Sequence, residues 1–217
     1  MPNTLNQVTP PPKSYFLIKR FIDITGSIIL AVVFFPVWII VPILIKLDSP
    51  GPILYTQKRV GLNGRLFKIL KFRSMVANAD ELILKNPKLW KKFQESDWKL
   101  ENDPRVTRIG RLLRRLTLDE LPQIINVLKG EMSLVGPRAY RPEEIKYQRQ
   151  KHPQAAKLIN IVLLVKPGIT GPWQTSGRND VPFPERVKLD AQYAQNHSIL
   201  TDIKILLKTP FAMISRW

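Results

Sequence analysis

Residues 24–45, ITGSIILAVVFFPVWIIVPILI, carry no charged side chain; Asp23 closes the run on one side and Lys46 on the other. As a straight helix these 22 residues would reach ~33 Å, enough to cross a hydrocarbon layer about 30 Å thick. The run is too long, starts too late and lacks the small-x-small site of a cleaved signal peptide. Two features count against a simple crossing. Pro36 and Pro42 each remove a helical hydrogen bond and favour a kink. Both flanks are also basic, with Lys13, Lys19 and Arg20 before the run and Lys46, Lys58, Arg59, Arg65, Lys68, Lys71 and Arg73 after it. Positive flanks mark the cytoplasmic side. A helix broken at Phe35–Pro36 that enters and leaves by one face satisfies both ends, since each half, ~16 Å long, is too short to span. A Pro-kinked spanning helix is the other reading, and on the physics the two stand side by side.

Working outward, residues 1–12 with Pro10, Pro11 and Pro12 read as a flexible lead-in, residues 13–50 as the membrane segment and 51–217 as one further domain. The DSPGP stretch at 48–52 is turn chemistry at the exit from the membrane. Lys and Arg number 34 against 17 Asp and Glu, a formal charge of +17, and 44% of the chain is hydrophobic. That is too apolar for disorder, and the charge favours polyanionic partners: nucleic acid, anionic lipid or phosphorylated small molecules. The chain has no cysteine and two histidines, His152 and His197. Disulfide scaffolds, thiol nucleophiles and His-rich metal sites are therefore excluded.

In the 51–217 domain, Ile53–Thr56 and Leu66–Leu70 are predicted strands around a turn at Gly61–Gly64. Residues 78–84 are a predicted short helix. Residues 86–102, with Trp90, Phe93 and Trp98, fit either a helix on the bilayer surface or a solvated helix with packed rings. Arg105–Arg115 holds five arginines, with Ile109, Leu112, Leu113 and Leu116 at helical spacing. A further helix is expected to begin at Thr117–Glu120 and to stop at Gly130. Ser133–Arg138 reads as a strand ending in a Gly-Pro turn, and Lys166–Gly171 as a turn-rich loop. Glu143–Gln150, Glu185–Asn196 and an amphipathic Thr201–Ile214 read as helices. The fold class is helix-rich α+β.

Asp119-Glu120 is the sharpest chemical feature. A purely structural reading is available: Thr117 with Glu120 matches a capping box, and acids are stabilised at a helix N-terminus. The functional reading divides labour between neighbours that diverge by ~100° on a helix. One carboxylate holds a divalent ion, and the other, kept ionised by the arginines and the helix end, attacks. The same arginines could grip a diphosphate, and Mg²⁺ suits such a site because it shares its shell with substrate phosphates. Lys71 and Arg73 lie two apart, on one face of an extended segment. Arg138 and Arg178 each follow a Gly-containing turn. The sequence has no G-x-x-x-x-G-K-[ST] loop and no G-x-G-x-x-G.

These signals fall in one order: the apolar hairpin candidate, KFRSM (71–75), DPRVTRIGRLLRRLTLDELPQ (103–123), NVLKGEMSLVGPR (126–138) and KPGITGPWQTSGR (166–178). The chain resembles the bacterial sugar transferases, the monotopic polyprenyl-phosphate phosphoglycosyl transferases, in their small, core-only form. The resemblance implies transfer of a phosphosugar from a UDP-sugar to undecaprenyl phosphate, with release of UMP. It implies a re-entrant membrane helix with its break at Phe35 and Pro36, and a cytosolic catalytic domain with amphipathic surface helices. It places the protein at the bacterial inner membrane, active site on the cytoplasmic face. By the same resemblance Asp119 is the nucleophile, and Glu120 with Asp119 holds Mg²⁺. Lys71, Arg73, Arg114, Arg138 and Arg178 are implied substrate or phosphate contacts. The expected partners are the donor, the lipid acceptor and the bilayer, not nucleic acid; a homodimer is compatible, and the transferred sugar is left open. A half-immersed enzyme meets the acceptor's headgroup without extracting its chain, which would cost ~0.8 kcal/mol per CH₂. The competing readings are a basic membrane-associated nucleic-acid-binding protein and a non-catalytic scaffold.

Overall fold

The computed structural model describes residues 12–96, 98, 100, 102–177 and 181–213. It opens with two helices, α1 (Lys13–Val33) and α2 (Phe35–Asp48), bent by 63° at their junction. Neither is long and apolar enough to cross a membrane alone. The break falls at Phe34 (φ −93°, ψ 19°), one residue before the expected Phe35–Pro36. The reason lies in proline chemistry. Pro36 occupies the first turn of α2, where no internal partner exists for its missing N–H, so the helix restarts before it rather than breaking at it. The junction keeps its backbone bonded: Phe34 N–H donates to Leu30 O (3.0 Å) and Val37 N–H donates to Phe34 O (2.9 Å).

An antiparallel hairpin follows, β1 (Leu54–Val60) and β2 (Leu66–Phe72), with Tyr55 opposite Lys71 and Lys58 opposite Lys68. Both strands run past the expected limits. Asn63 and Gly64, both at positive φ, turn the chain between them. The outer edge of β2 is closed by a side chain. Asn126 Oδ1 accepts from Leu70 N–H (2.9 Å), and its Nδ2 donates to Lys68 O (2.8 Å) and to Glu131 Oε2 (2.7 Å).

Next come α3 (Ala79–Leu84), α4 (Pro87–Glu95), α5 (Arg108–Arg115) and α6 (Gln123–Leu128). Phe93 and Trp98 are buried with Ile83 and Leu100, and the Arg105 and Arg141 guanidinium groups cover the Phe93 ring. Among the described residues of 86–102 the rings are packed, as the second of the two readings has it. β3 (Ser133–Val135) pairs in parallel with β4 (Gly168–Thr170). The Lys166–Gly171 stretch thus contains a short strand rather than only turns. Two glycines permit the pairing, because a β-carbon on Gly168 would lie 2.1 Å from Gly136 N. α7 (Pro142–Lys151), α8 (Ala156–Val162), α9 (Phe183–Asn196) and α10 (Ile199–Met213) complete the chain.

One core cluster joins Ile69, Val127, Met132, Leu134, Val135, Tyr193 and Ile205. Asp23 ties α1 to it from inside, accepting from Ser133 Oγ (2.8 Å) and Leu134 N–H (2.9 Å). A second cluster, Val41, Ile45, Phe72 and Leu113, packs α2 against β2 and α5. The opposite surfaces stay apolar and open: Leu17, Phe21, Ile28 and Ile29 on α1, Phe35, Ile39, Ile40 and Ile43 on α2, and Leu200, Ile203, Leu207 and Phe211 on α10. Such a continuous supply of exposed large hydrophobics is unusual for a protein bathed only in water.

Candidate active site

The dyad sits where α2, β2 and α5 meet. α5 is capped twice at its start: Thr107 Oγ1 accepts from Gly110 N–H (3.0 Å), and Asp48, the last residue of α2, accepts from Ile109 N–H (3.1 Å). Gly110 is required by a close approach, since a β-carbon there would fall 1.9 Å from Ser74 O. α5 ends at Arg115, and Thr117 takes a left-handed conformation (φ 58°). The expected capping box is therefore not formed. Thr117 makes no side-chain cap, and Leu118–Glu120 form a single 3₁₀ turn before α6 begins. A capping residue must be extended for its side chain to reach forward, and this threonine is not. Leu118 and Leu121 pack into the Val41–Phe72–Leu113 cluster and pin the turn from both sides.

This turn buries Asp119 and leaves Glu120 partly exposed. Lys71 Nζ, arriving from β2, donates to Glu120 Oε1 at 2.5 Å. Arg114 Nε donates to Ser74 Oγ (2.9 Å), and its charge acts on Asp119 and Glu120. Burial raises the Asp119 carboxyl above the usual aspartate range; Lys71 and Arg114 pull it down, and Glu120 pushes it up. The arginines and the helix end were expected to keep this group ionised. That potential is present, but desolvation outweighs it.

The structure separates the remaining arginines. Arg73 does not share an open face with Lys71. It lies just past the end of β2, is 4% exposed, and donates to Pro50 O (2.9 Å), Ser49 O (2.6 Å), Ser49 Oγ (3.0 Å) and Ile45 O (3.3 Å). It clamps the C-terminal end of α2, where helix carbonyls lack partners, and so fastens the fold. Arg105 is likewise engaged, in a bidentate pair with Asp103 (2.8 and 2.6 Å). Arg138 holds its guanidinium over the Trp173 ring (5.3 Å) and its Nε 4.0 Å from Glu144 Oε1. Its backbone N–H donates to the buried Asp190 (3.2 Å), which also accepts from Tyr140 OH. Arg178 lies outside the described residues.

Sequence reasoning missed Arg59 and Arg141. Arg59 is buried, donates to Ala139 O (2.8 Å), and is pushed down to about 9 by burial and then by the charges of Arg141 and Arg138. The signal was period-two alternation: Tyr55, Gln57 and Arg59 share one strand face, and Tyr55 faces Lys71. A strand ended at Thr56 hides it.

The family model described as "Bacterial sugar transferase" matches residues 14–216. The undecaprenyl-phosphate galactose phosphotransferase of Salmonella typhimurium is 42% identical over 207 residues, covering 94% of this chain and 42% of that protein. The exopolysaccharide production protein ExoY of Rhizobium meliloti is 40% identical over 203 residues, covering 91% of this chain and 86% of ExoY. The galactosyl transferase CpsE of Streptococcus agalactiae is 46% identical over 197 residues, covering 90% of this chain and 42% of CpsE. The chain thus spans less than half of two of these relatives and most of the third.

Proposed function

Since the chain belongs to the bacterial sugar transferase family, we propose that it moves a sugar 1-phosphate from a UDP-sugar to undecaprenyl phosphate and releases UMP. In this reading it catalyses the membrane step that begins a polysaccharide. The acceptor and the sugar chemistry come from the names of the Salmonella and Streptococcus relatives, and the polysaccharide context from ExoY. The nucleic-acid and scaffold readings find no support in those names.

One observation carries the chemistry: a buried carboxylate, Asp119, shares a turn with Glu120, whose charge is held by Lys71. An ionised Asp119 oxygen attacks the β-phosphorus of the donor. The bond from that phosphorus to the bridging oxygen breaks, and UMP leaves with the oxygen. The phosphosugar is then held as an acyl phosphate on Asp119. A phosphate oxygen of undecaprenyl phosphate attacks the same phosphorus, the lipid-linked diphosphosugar leaves, and the carboxylate is restored. Soluble donor and membrane acceptor need never occupy the site together. Tyr55 sits across the hairpin from Lys71, and the charges of Arg141 and Arg59 reach Tyr55. We assign the donor's nucleotide end to this basic side of the hairpin, toward Arg138.

Two adjacent carboxylates suit Mg²⁺, which takes one or two of them and fills its shell with water and phosphate oxygens. Among the described residues no group of three or more His, Asp or Glu converges, so the fit is to an ion that arrives with the diphosphate. Glu120, with Asp119 beside it, would hold the ion, and when bound it would draw negative charge off the transferring group.

The exposed apolar faces of α1, α2 and α10 support a monotopic seat, with the bent pair dipping into one leaflet and returning. In this reading the dyad works at the cytoplasmic face of the inner membrane. Mixing the protein with UDP-galactose or UDP-glucose, acceptor withheld, should yield a phosphohexose adduct on Asp119 by mass spectrometry. An unmodified protein under conditions that support full turnover would instead mean direct, one-step transfer.

A further inference from the structure

The far end of α6 gathers positive charge that this reaction does not use. Arg20 of α1 donates from Nη1 to Val127 O (2.6 Å) and from Nη2 to Leu128 O (2.8 Å). Those bonds satisfy the last carbonyls of α6 and complement its dipole. Lys129 and Gly130 follow. Gly130 has φ +80°, and a β-carbon there would lie 3.7 Å from Lys166 Nζ and 4.0 Å from Arg20 Cζ. The glycine, with no side chain of its own, sits beside both cations.

The capping role accounts for Arg20 but not for Lys166. Among the described residues Lys166 donates no hydrogen bond and forms no ion pair. Burial and the Arg20 charge pull its ammonium down; Asp23 opposes this, and Lys19 adds to it. Asp23 meets Ser133 and Leu134 through its Oδ1. Lys166 Nζ, set beside another cation and donating to no acceptor among the described residues, is left as a donor for an anion.

The surroundings say what kind of anion. Leu128 (40% exposed) and Leu164 (52%) flank the spot, and Leu17 and Phe21 (73% and 67%) flank Arg20 on α1. Ammonium and guanidinium groups at the rim of an apolar surface match a phosphate that carries hydrocarbon chains.

We propose that Lys166 and Arg20, arranged around Gly130, form a notch for the phosphate of an anionic membrane lipid, separate from the Asp119–Glu120 site. The proposal rests on the membrane-seated reading above. Lipid phosphate oxygens accept from Lys166 Nζ, and the acyl chains run along Leu128 and Leu164.

The test uses the full chain in nanodiscs of phosphatidylcholine containing a minor fraction of either phosphatidylglycerol or undecaprenyl phosphate. Native mass spectrometry then counts retained lipids. Wild-type protein should retain the anionic lipid several-fold in preference to phosphatidylcholine. Lys166→Gln should lose that preference, Lys166→Arg should keep it, and single-turnover UMP release should be unchanged in both. Equal retention by wild type and Lys166→Gln overturns the notch, and so does displacement by inorganic phosphate at the lipid's own concentration, which would show that the chains do not matter. Flotation with neutral phosphatidylcholine vesicles separates the two readings. Protein that does not float refutes the membrane seat; protein that floats but lacks a Lys166-dependent preference refutes only the notch.

Discussion

Lys71 pairs with Glu120, the partly exposed member of the dyad, and not with the buried Asp119: its Nζ lies 2.5 Å from Glu120 Oε1. The two carboxylates therefore differ in kind. Glu120 has a fixed countercharge and access to solvent, whereas Asp119 feels Lys71 only through space. Two titratable neighbours with such different surroundings are the usual mark of a site in which each does a different job.

Removing the countercharge should show in the pH profile. Asp119 must be ionised to attack, its carboxyl is already raised, and Lys71 lowers it. In Lys71→Met the acid limb of UMP release, measured with donor alone, should move to higher pH. A lower rate with an unmoved limb would reduce Lys71 to a substrate contact.

Glu120→Gln keeps the shape of the side chain but removes its charge. We expect turnover to fall by on the order of a hundredfold or more, as for loss of one essential electrostatic group, and the residual rate to respond little to added Mg²⁺. Full metal dependence in this variant would transfer the ion to other ligands.

Arg73 separates a fastener from a ligand. Arg73→Met leaves the carbonyls at the end of α2 without their buried partner, a loss of about 2–3 kcal/mol for hydrogen bonds to a charged group. Thermal denaturation in detergent should show the drop, while the KM for the UDP-sugar stays within about twofold, under ~0.5 kcal/mol of binding energy. A large rise in KM without loss of stability would restore the phosphate-binding role.

Asp190 gives a stability signature. Burial raises it to about 7, with Arg138 N–H and Tyr140 OH acting the other way. The protonated form is therefore favoured in the folded state. The stability it contributes is complete below about pH 4 and is lost as pH climbs to about 7. Asp190→Asn cannot lose a proton. Its unfolding free energy should gain on wild type across that window, by on the order of 4 kcal/mol, and by no more above it. A difference that does not change with pH would mean that Asp190 is ionised throughout.

Topology is testable because the chain has no cysteine. Single substitutions Lys13→Cys and Lys58→Cys should both react with an impermeant maleimide from the cytoplasmic side. Labelling from opposite sides would establish a spanning helix.

Much of this architecture was legible in the residues. The charge-free run between Asp23 and Lys46, its prolines and its two basic flanks announced a broken apolar helix. Period-two and period-3.6 patterns located both hairpin strands and most of the helices. What escaped has a common physical cause: contacts between residues distant in sequence. Nothing local tells that Thr117 will turn left-handed, because Leu118 and Leu121 are anchored by α2 and β2. Nothing local tells that Arg73 will be absorbed by the end of α2, or that Gly168 will meet Gly136 and make a strand of a loop. Asp119-Glu120 was legible as a pair, but its asymmetry was not, since Lys71 reaches it from 49 positions away.

The amide of Asn126 has one more effect. A two-stranded ribbon offers its free backbone groups to any passing strand, the usual starting point for runaway self-association. Here a single fully buried side chain impersonates a third strand, matching one donor and one acceptor of Lys68 and Leu70. The edge of the strand that delivers Lys71 is thereby occupied at these two residues, where a recruited chain would otherwise pair.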